Sequence, residues 1–263
     1  MASNEGWHGW DEYAPFYDWE NAQTLGRRDV VFWTRVARQA RGRTLELGCG
    51  TGRVSLPLVR AGVRLVGIDR SEAMLTHALK RARRLDTSSR PPRTKRLHLA
   101  RGDIRWLPFA SASFNLVIAP YGILQSLLRD RDVRDTLASV ARVLKPGGTF
   151  GLDLVPDVPQ WKEYSNRIQM SGRGPRGTHV TLVESVRQDR RRRLTMFEQE
   201  YRVRRGHEVT RHPFSLTFRT IPMASMARRL ERTGFAIRSV LGDYRGGPWD
   251  DRADVWIILA QKV

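Results

Sequence analysis

The segment Leu45-Glu46-Leu47-Gly48-Cys49-Gly50-Thr51-Gly52-Arg53 constrains this chain of 263 residues more than any other stretch. Its three glycines stand at every second position, after a short apolar run and before a helical one. A strand-to-helix turn without Cβ atoms lets backbone N–H groups come close to a ligand. The turn is not a dinucleotide fingerprint, because the third glycine of that pattern would fall at Arg53. Nor is it a phosphate-binding P-loop, because no Gly-Lys-Ser/Thr follows. It points instead to a ligand with a nucleoside part and an amino-acid part.

The flanking sequence alternates between two periods. Residues 43–47 read as a strand, 54–60 as a helix stopped by Gly62, and 63–68 as a strand closed by Asp69. Ser71 is the expected N-cap of a helix reaching about residue 84. Residues 86–93 read as a loop, 96–100 and 114–119 as strands, and 132–144 as a helix. Lys145-Pro146-Gly147-Gly148 is expected to stop that helix before a strand at 149–155. Such alternation predicts a parallel sheet with helices on both faces. The rhythm then changes. Residues 156–177 read as a loop, and 178–187, 194–204 and 208–221 as an antiparallel layer of three strands. A helix over 222–234 and strands at 236–241 and 254–260 complete the chain.

Charge invites a nucleic-acid reading, since 46 Lys+Arg against 27 Asp+Glu leave +19. Only five of the basic residues are lysine (Lys80, Lys95, Lys145, Lys162 and Lys262), and the arginines are scattered in several runs. Arginine preference of this kind also follows from codon usage in a GC-rich genome, so solvated faces are favoured over a partner-binding role. The single cysteine excludes an intramolecular disulfide and any Cys-only metal site. The six histidines show no H-x-x-x-H spacing, and no metal site is expected. No stretch approaches the roughly 20 apolar residues of a membrane helix. Residues 1–7 lack a basic-then-apolar leader, and a cytoplasmic location without membrane partners is expected.

Two acids and their neighbours suggest a nucleoside site. Asp69, at the C-terminal end of the second strand, can accept from both ribose hydroxyls, because an ionised carboxylate is acceptor-only with two oxygens. Its alternative role is to cap the next helix. Asp103, after the third strand, can accept from an exocyclic amine, while Ile104 covers a purine face. Met74 can pack on the other face or belong to the core.

Taken together, the sequence resembles the class I S-adenosylmethionine-dependent methyltransferases. The resemblance rests on Glu46 to Gly52, Asp69-Arg70-Ser71-Glu72-Ala73-Met74-Leu75, Gly102-Asp103, Phe114-Asn115-Leu116-Val117 and Leu144-Lys145-Pro146-Gly147-Gly148. It implies an α/β, doubly wound, Rossmann-like sheet of seven mostly parallel strands with the last strand antiparallel. It implies S-adenosylmethionine as cofactor, with Gly48, Cys49, Gly50 and Gly52 at the methionine part and Asp69 at the ribose. Asp103, Ile104 and Met74 would hold the adenine, with Glu46, Arg70 and Tyr121 completing the contacts. Asn115 departs from the Asp common in the family, at a position facing the start of the sheet. Tyr13-Ala14-Pro15-Phe16-Tyr17-Asp18-Trp19 and the extended 178–221 layer are similar to a subset acting on small molecules, including amino-sugar and glycine-type N-methyltransferases. On that pattern one domain spans 1–263, with an N-terminal lid and helix at 1–40 and a cofactor-binding core at 41–155. An acceptor roof of inserted strands at 156–221 and the last helix and strands at 222–263 complete it.

The chemistry implied is in-line attack of a nucleophile, at N or O of a small-molecule acceptor, on the sulfonium methyl. The protein then supplies mainly alignment and water exclusion. Tyr17 and Tyr121 are expected to frame the methyl group and Gln125 to orient the acceptor. His212, Glu200 and Tyr17 are the candidate bases. The alternative, modification of RNA or DNA, draws on the charge. It is disfavoured because Ala119-Pro120-Tyr121 is not the Asn/Asp-Pro-Pro-Tyr of amino-nucleobase methyltransferases and no nucleic-acid module is evident. A non-catalytic S-adenosylmethionine-binding partner protein is the third reading.

Overall fold

The computed structural model describes residues 10–24, 28–86, 93–156, 163–250, 253 and 255–263. Two helices, α1 (Trp10–Thr24) and α2 (Arg28–Gln39), precede the sheet. The core then runs β1 (Arg43–Leu47), α3 (Ser55–Arg60), β2 (Arg64–Asp69), α4 (Glu72–Asp86), β3 (Leu97–Arg101), β4 (Phe114–Ala119), α5 (Asp130–Val143) and β5 (Leu144–Leu154). Four further strands follow: β6 (Tyr164–Arg173), β7 (His179–Asp189), β8 (Leu194–Arg205) and β9 (Glu208–Arg219). The chain closes with α6 (Met223–Arg232), β10 (Phe235–Leu241) and β11 (Trp256–Lys262).

The core is a seven-stranded sheet in the order β10-β11-β5-β4-β1-β2-β3. β11 lies antiparallel between β10 and β5, while the pairings among β1 to β5 are all parallel. The expected α/β sheet of mostly parallel strands with an antiparallel last strand is the observed fold. Its central strands are near-continuous apolar runs because helices cover both faces. On one face Val133, Leu137 and Val140 of α5 pack with Leu230 of α6. On the other, Phe32, Trp33 and Val36 of α2 pack with Leu58 and Val59 of α3. Trp33 packs against the sheet at Gly151, where a Cβ would come within 2.7 Å of the indole ring.

β6 to β9 form a separate antiparallel sheet in chain order. Along each of its strands alternate side chains share a face, and Leu182, Tyr201 and His212 stand abreast. That face meets α1. Phe16 stacks on Tyr201 at 4.3 Å between centroids, and Tyr13 stacks on Phe214 at 4.8 Å.

Two expectations are corrected. The stretch 156–177 was expected to be a loop, yet 164–173 is β6, a fourth strand of the layer. β6 is an edge strand with most of its side chains in solvent, so it lacks the alternation that betrays a half-buried strand. The Lys-Pro-Gly-Gly segment was expected to separate α5 from its strand, but β5 already starts at Leu144. The register against β4 jumps from Phe114–Leu144 to Leu116–Thr149, so the segment is absorbed as a bulge, with Gly147 at φ +71°. Residues 87–92 and 157–162 of the two expected loops, and Asp254 of the last expected strand, lie outside the described residues. Among the described residues no helix is long and apolar enough to cross a membrane.

Trp33 is fully buried. Trp33→Ala is expected to cost about 3–5 kcal/mol, seen as a lower urea midpoint at unchanged m-value. A change below about 1 kcal/mol would show that α2 is not anchored through this ring.

Candidate functional site

A cavity of about 690 Å³ opens at the C-terminal ends of the parallel strands. It lies beside the β1–β4 junction, where strand order reverses and α/β sheets bind ligands. The floor comes from the turns after β1, β2, β3 and β4, through Gly48, Gly50, Asp69, Arg70, Ile104 and Tyr121. Met74 of α4, Tyr17 of α1 and Phe218 of β9 also line it.

The glycine turn is shaped by positive φ. Gly50 sits at φ +52°, and a Cβ there would meet nothing nearer than the Met74 sulfur at 3.9 Å, so its bare face opens onto the cavity. Gly52, at φ +79°, is bare for packing, since a Cβ would reach Leu56 at 3.0 Å. Gly52 and Cys49 are not among the lining residues. Cys49 is bound into the fold: its N–H donates to Ile68 O at 3.1 Å, and burial pushes its thiol pKa up. Glu46 lies beneath the turn, fully buried, accepting from the Ser55 hydroxyl. Burial pushes its carboxyl up to about 8.

Asp69 joins the turns. Its Oδ2 accepts from Gly50 N–H at 2.8 Å and its Oδ1 from Ser71 N–H at 2.9 Å. Burial raises its pKa, and these backbone donors oppose the rise. Ser71 is the N-cap of α4, its hydroxyl accepting from Met74 N–H at 3.0 Å. Asp103 differs from expectation. The Arg105 guanidinium grips both of its oxygens, with Nη2 at 2.8 Å, and Arg70 Nη1 reaches Oδ2 at 3.0 Å. Burial would raise this carboxyl, but the two arginines hold it below its ordinary value. Its acceptor capacity is taken up by these donors, so it does not present a bare carboxylate to a ligand amine.

α1 covers the cavity and is fastened at several points. Ser71 Oγ donates to Asp11 at 2.5 Å, Thr51 Oγ1 donates to Asp18 at 2.6 Å, and Arg81 Nη1 reaches Asp18 at 2.7 Å. Tyr13 donates to Glu20 at 2.7 Å, and Tyr201 of β8 donates to the same oxygen. Tyr17 is buried, and its phenol is pushed up to about 12. It is therefore a neutral donor near pH 7 rather than a base. Tyr121 sits at φ +61° and Gly122 at φ +62°, a strained turn directly after β4. Asp153 of β5 holds that turn by accepting from Gly122 N–H at 2.8 Å.

Besides Glu46, Cys49 and Gly52, the three residues expected to act on the acceptor fall outside the cavity. Gln125 is buried with its amide paired to Val155, Nε2 to O at 3.1 Å and N–H to Oε1 at 2.8 Å, so it does not face an acceptor. His212 is exposed against Phe16, 5.2 Å between centroids. Glu200 points from the opposite face of β8 to Tyr201 and pairs with Arg202 at 2.5 Å. Conversely Trp10, Leu127, Leu128 and Phe218 line the cavity without a sequence signal, because their loops and strand converge only in the fold. Asn115 stands at the start of the sheet as expected, accepting from Arg43 N–H at 3.3 Å. Among the described residues no group of three His, Cys, Asp or Glu could hold a metal.

The donor set fits a nucleoside joined to an amino acid. A bare glycine face, a carboxylate at a strand end and the apolar Met74 and Ile104 share one cavity. Comparison with known proteins agrees. Residues 44–148 match the family model described as a methyltransferase domain. The chain is 32% identical over 197 residues to the demethylmenaquinone methyltransferase of Renibacterium salmoninarum, covering 67% of this chain and 74% of that protein. It is 26% identical to the cypemycin N-terminal methyltransferase of a Streptomyces species, covering 94% of each. The CcbJ methyltransferase of Streptomyces caelestis has the same fold, at TM-score 0.76 and 20% identity, covering 96% of this chain and 97% of that one.

Glu46 gives a test of the turn's electrostatics. Between its ordinary 4.5 and about 8 the folded protein holds a proton that the unfolded chain releases. Stability from this group is greatest below pH 4.5 and falls as pH rises through that window. Glu46→Gln is expected to flatten the decline of melting temperature between about pH 5 and 8. A decline parallel to the wild type's would refute the burial of a protonated Glu46.

Proposed function

This chain belongs to the class I S-adenosylmethionine-dependent methyltransferases, and we propose that it methylates a small molecule held in the cavity under α1 and the second sheet. The observation that carries this reading is that α1, through Tyr17, and β9, through Phe218, line the same cavity as the glycine turn. A ligand there is enclosed from two sides, which suits a compact organic acceptor better than a polymer. One relative is named for demethylmenaquinone and another for the N-terminus of cypemycin, which supports an organic acceptor without choosing the atom.

S-adenosylmethionine supplies, when bound, a methyl group on positively charged sulfur. The chain's residues bind and orient it. Gly48 and Gly50 face its amino-acid end, Asp69 accepts from the ribose, and Met74 and Ile104 flank the base. Asp103 fixes Arg70 and Arg105 at the rim rather than taking the exocyclic amine itself. Tyr17 and Tyr121 bound the acceptor end, where Tyr17 donates a hydrogen bond. Excluding water and aligning the acceptor are the main contributions asked of the protein. In this reading residues 1–40 act as the lid, 41–155 as the cofactor core, 156–221 as the acceptor roof and 222–263 as the closing helix and strands.

Asp69→Ala is expected to weaken S-adenosylhomocysteine binding by about tenfold or more, since hydrogen bonds to a charged group are worth about 1.5–3 kcal/mol. Unchanged affinity by calorimetry would remove Asp69 from the site. Incubation with methyl-labelled S-adenosylmethionine and host extract should place label in the small-molecule fraction. Label in RNA or protein would overturn the acceptor class, and no transfer at all beside tight cofactor binding would favour a non-catalytic binder.

A further inference from the structure

Directly after β4 two successive residues take left-handed backbone, Tyr121 at φ +61° and Gly122 at φ +62°. That conformation strains a residue with a Cβ and persists only where its surroundings over-determine it. Here several contacts do so. Asp153 of β5 is 2% exposed and does not line the cavity. Its Oδ1 accepts from Gly122 N–H at 2.8 Å, and its Oδ2 accepts from the Tyr244 hydroxyl at 2.9 Å. Gln125, tied to Val155 through both ends of its amide, crowds the same turn: a Cβ on Gly122 would come within 2.7 Å of Gln125 Oε1. Tyr244 comes from the loop after β10, which has a clasp of its own. Asp243 Oδ1 accepts there from the N–H groups of Arg245, Gly246 and Gly247, each at 2.8 Å. The Tyr244 ring meets Phe32 of α2 at 5.9 Å between centroids.

A strained aromatic residue at a strand end, held by a buried carboxylate and facing a cavity, is a conformation kept for use. We propose that Asp153 is a positioning residue for methyl transfer: by holding Gly122 it fixes the ring and phenol of Tyr121 at the reacting end of the cavity. The role rests on that end lying between Tyr17 and Tyr121, as in the function proposed above. Arg53, whose guanidinium carbon lies 5.2 Å from the centroid of the Tyr121 ring, supports the ring itself. Burial pushes the Asp153 carboxyl up to about 6. The Gly122 N–H, the Tyr244 hydroxyl and Arg53 oppose that rise, while Asp29 adds to it. Burial and the Asp153 carboxylate push the Tyr244 phenol up, so it stays a donor. Above about pH 6 the ionised carboxylate serves both donors; below it a proton competes with them. Loss of the charge loosens the turn and takes Tyr121 from its place.

The test follows label from methyl-labelled S-adenosylmethionine into host extract, beside S-adenosylhomocysteine binding by calorimetry, on the full chain. Wild-type transfer at saturating cofactor is expected to decline below about pH 6. Asp153→Asn should cut the rate above that pH by about tenfold and remove the decline, while S-adenosylhomocysteine affinity changes by less than about threefold. Tyr244→Phe takes away one of the donors that hold the carboxylate ionised, so it should move the decline to higher pH. Gly122→Ala breaks the same turn without touching the carboxylate and should reproduce the selective loss of rate. Equal loss of rate and of S-adenosylhomocysteine binding in Asp153→Asn, or a rate and pH profile like the wild type's, would overturn the proposal and leave Asp153 as a tie between β5 and the loop after β10. A decline that stays in place in Tyr244→Phe would overturn it too. Label in RNA or protein would overturn the small-molecule reading alone, and the same variant rates in that fraction then decide the role of Asp153. No transfer into any fraction, beside tight S-adenosylhomocysteine binding, would overturn both.

Discussion

The carboxylate of Asp69 joins three elements at one point. It ends β2, accepts from Gly50 in the turn after β1, and accepts from Ser71 at the start of α4. Each bond satisfies an amide that would otherwise be left bare beside a cavity. The price of gathering them is a carboxylate out of bulk water, visible in its raised pKa. The cavity floor depends on this junction, because Gly50 and Met74 reach their places through the elements it ties together.

A second junction closes the site from above. Tyr13, Phe16 and Tyr17 of α1 pack with Tyr201, Leu182 and Val180 of the second sheet and with Met74 of the core. Aromatic side chains bury large areas and carry polar tips, so they pack a lid firmly while still offering hydrogen bonds. Glu20 takes two of those tips, from Tyr13 and Tyr201. The lid and roof are thus one assembly built on α1.

The core elements were legible in the sequence, because a sheet covered on both faces writes long apolar runs and covered helices write a period of 3.6. β6 and the early start of β5 were not. An edge strand in solvent has no side-chain period, and a strand that absorbs Lys-Pro-Gly-Gly as a bulge looks like a break. The site divides in the same way. Gly48, Gly50, Asp69, Arg70, Met74, Asp103 and Ile104 lie close to their motifs in the chain and meet around the cavity. Gln125, His212 and Glu200 were chosen by residue type and approximate position, and each is engaged elsewhere.

Local patterns therefore determined the alternating strands and helices of the core and the turn that a nucleoside and amino acid can approach. That is so because period, glycine spacing and strand-end acids are properties of short segments. Only the tertiary structure decided that Asp103 is clasped by Arg70 and Arg105, and that Gln125 turns to Val155. It alone brought Phe218 to the cavity and left Arg53 with buried donors between two tyrosines. These facts depend on which side chains meet across long stretches of chain, and on how many hydrogen-bond partners each finds once water is excluded.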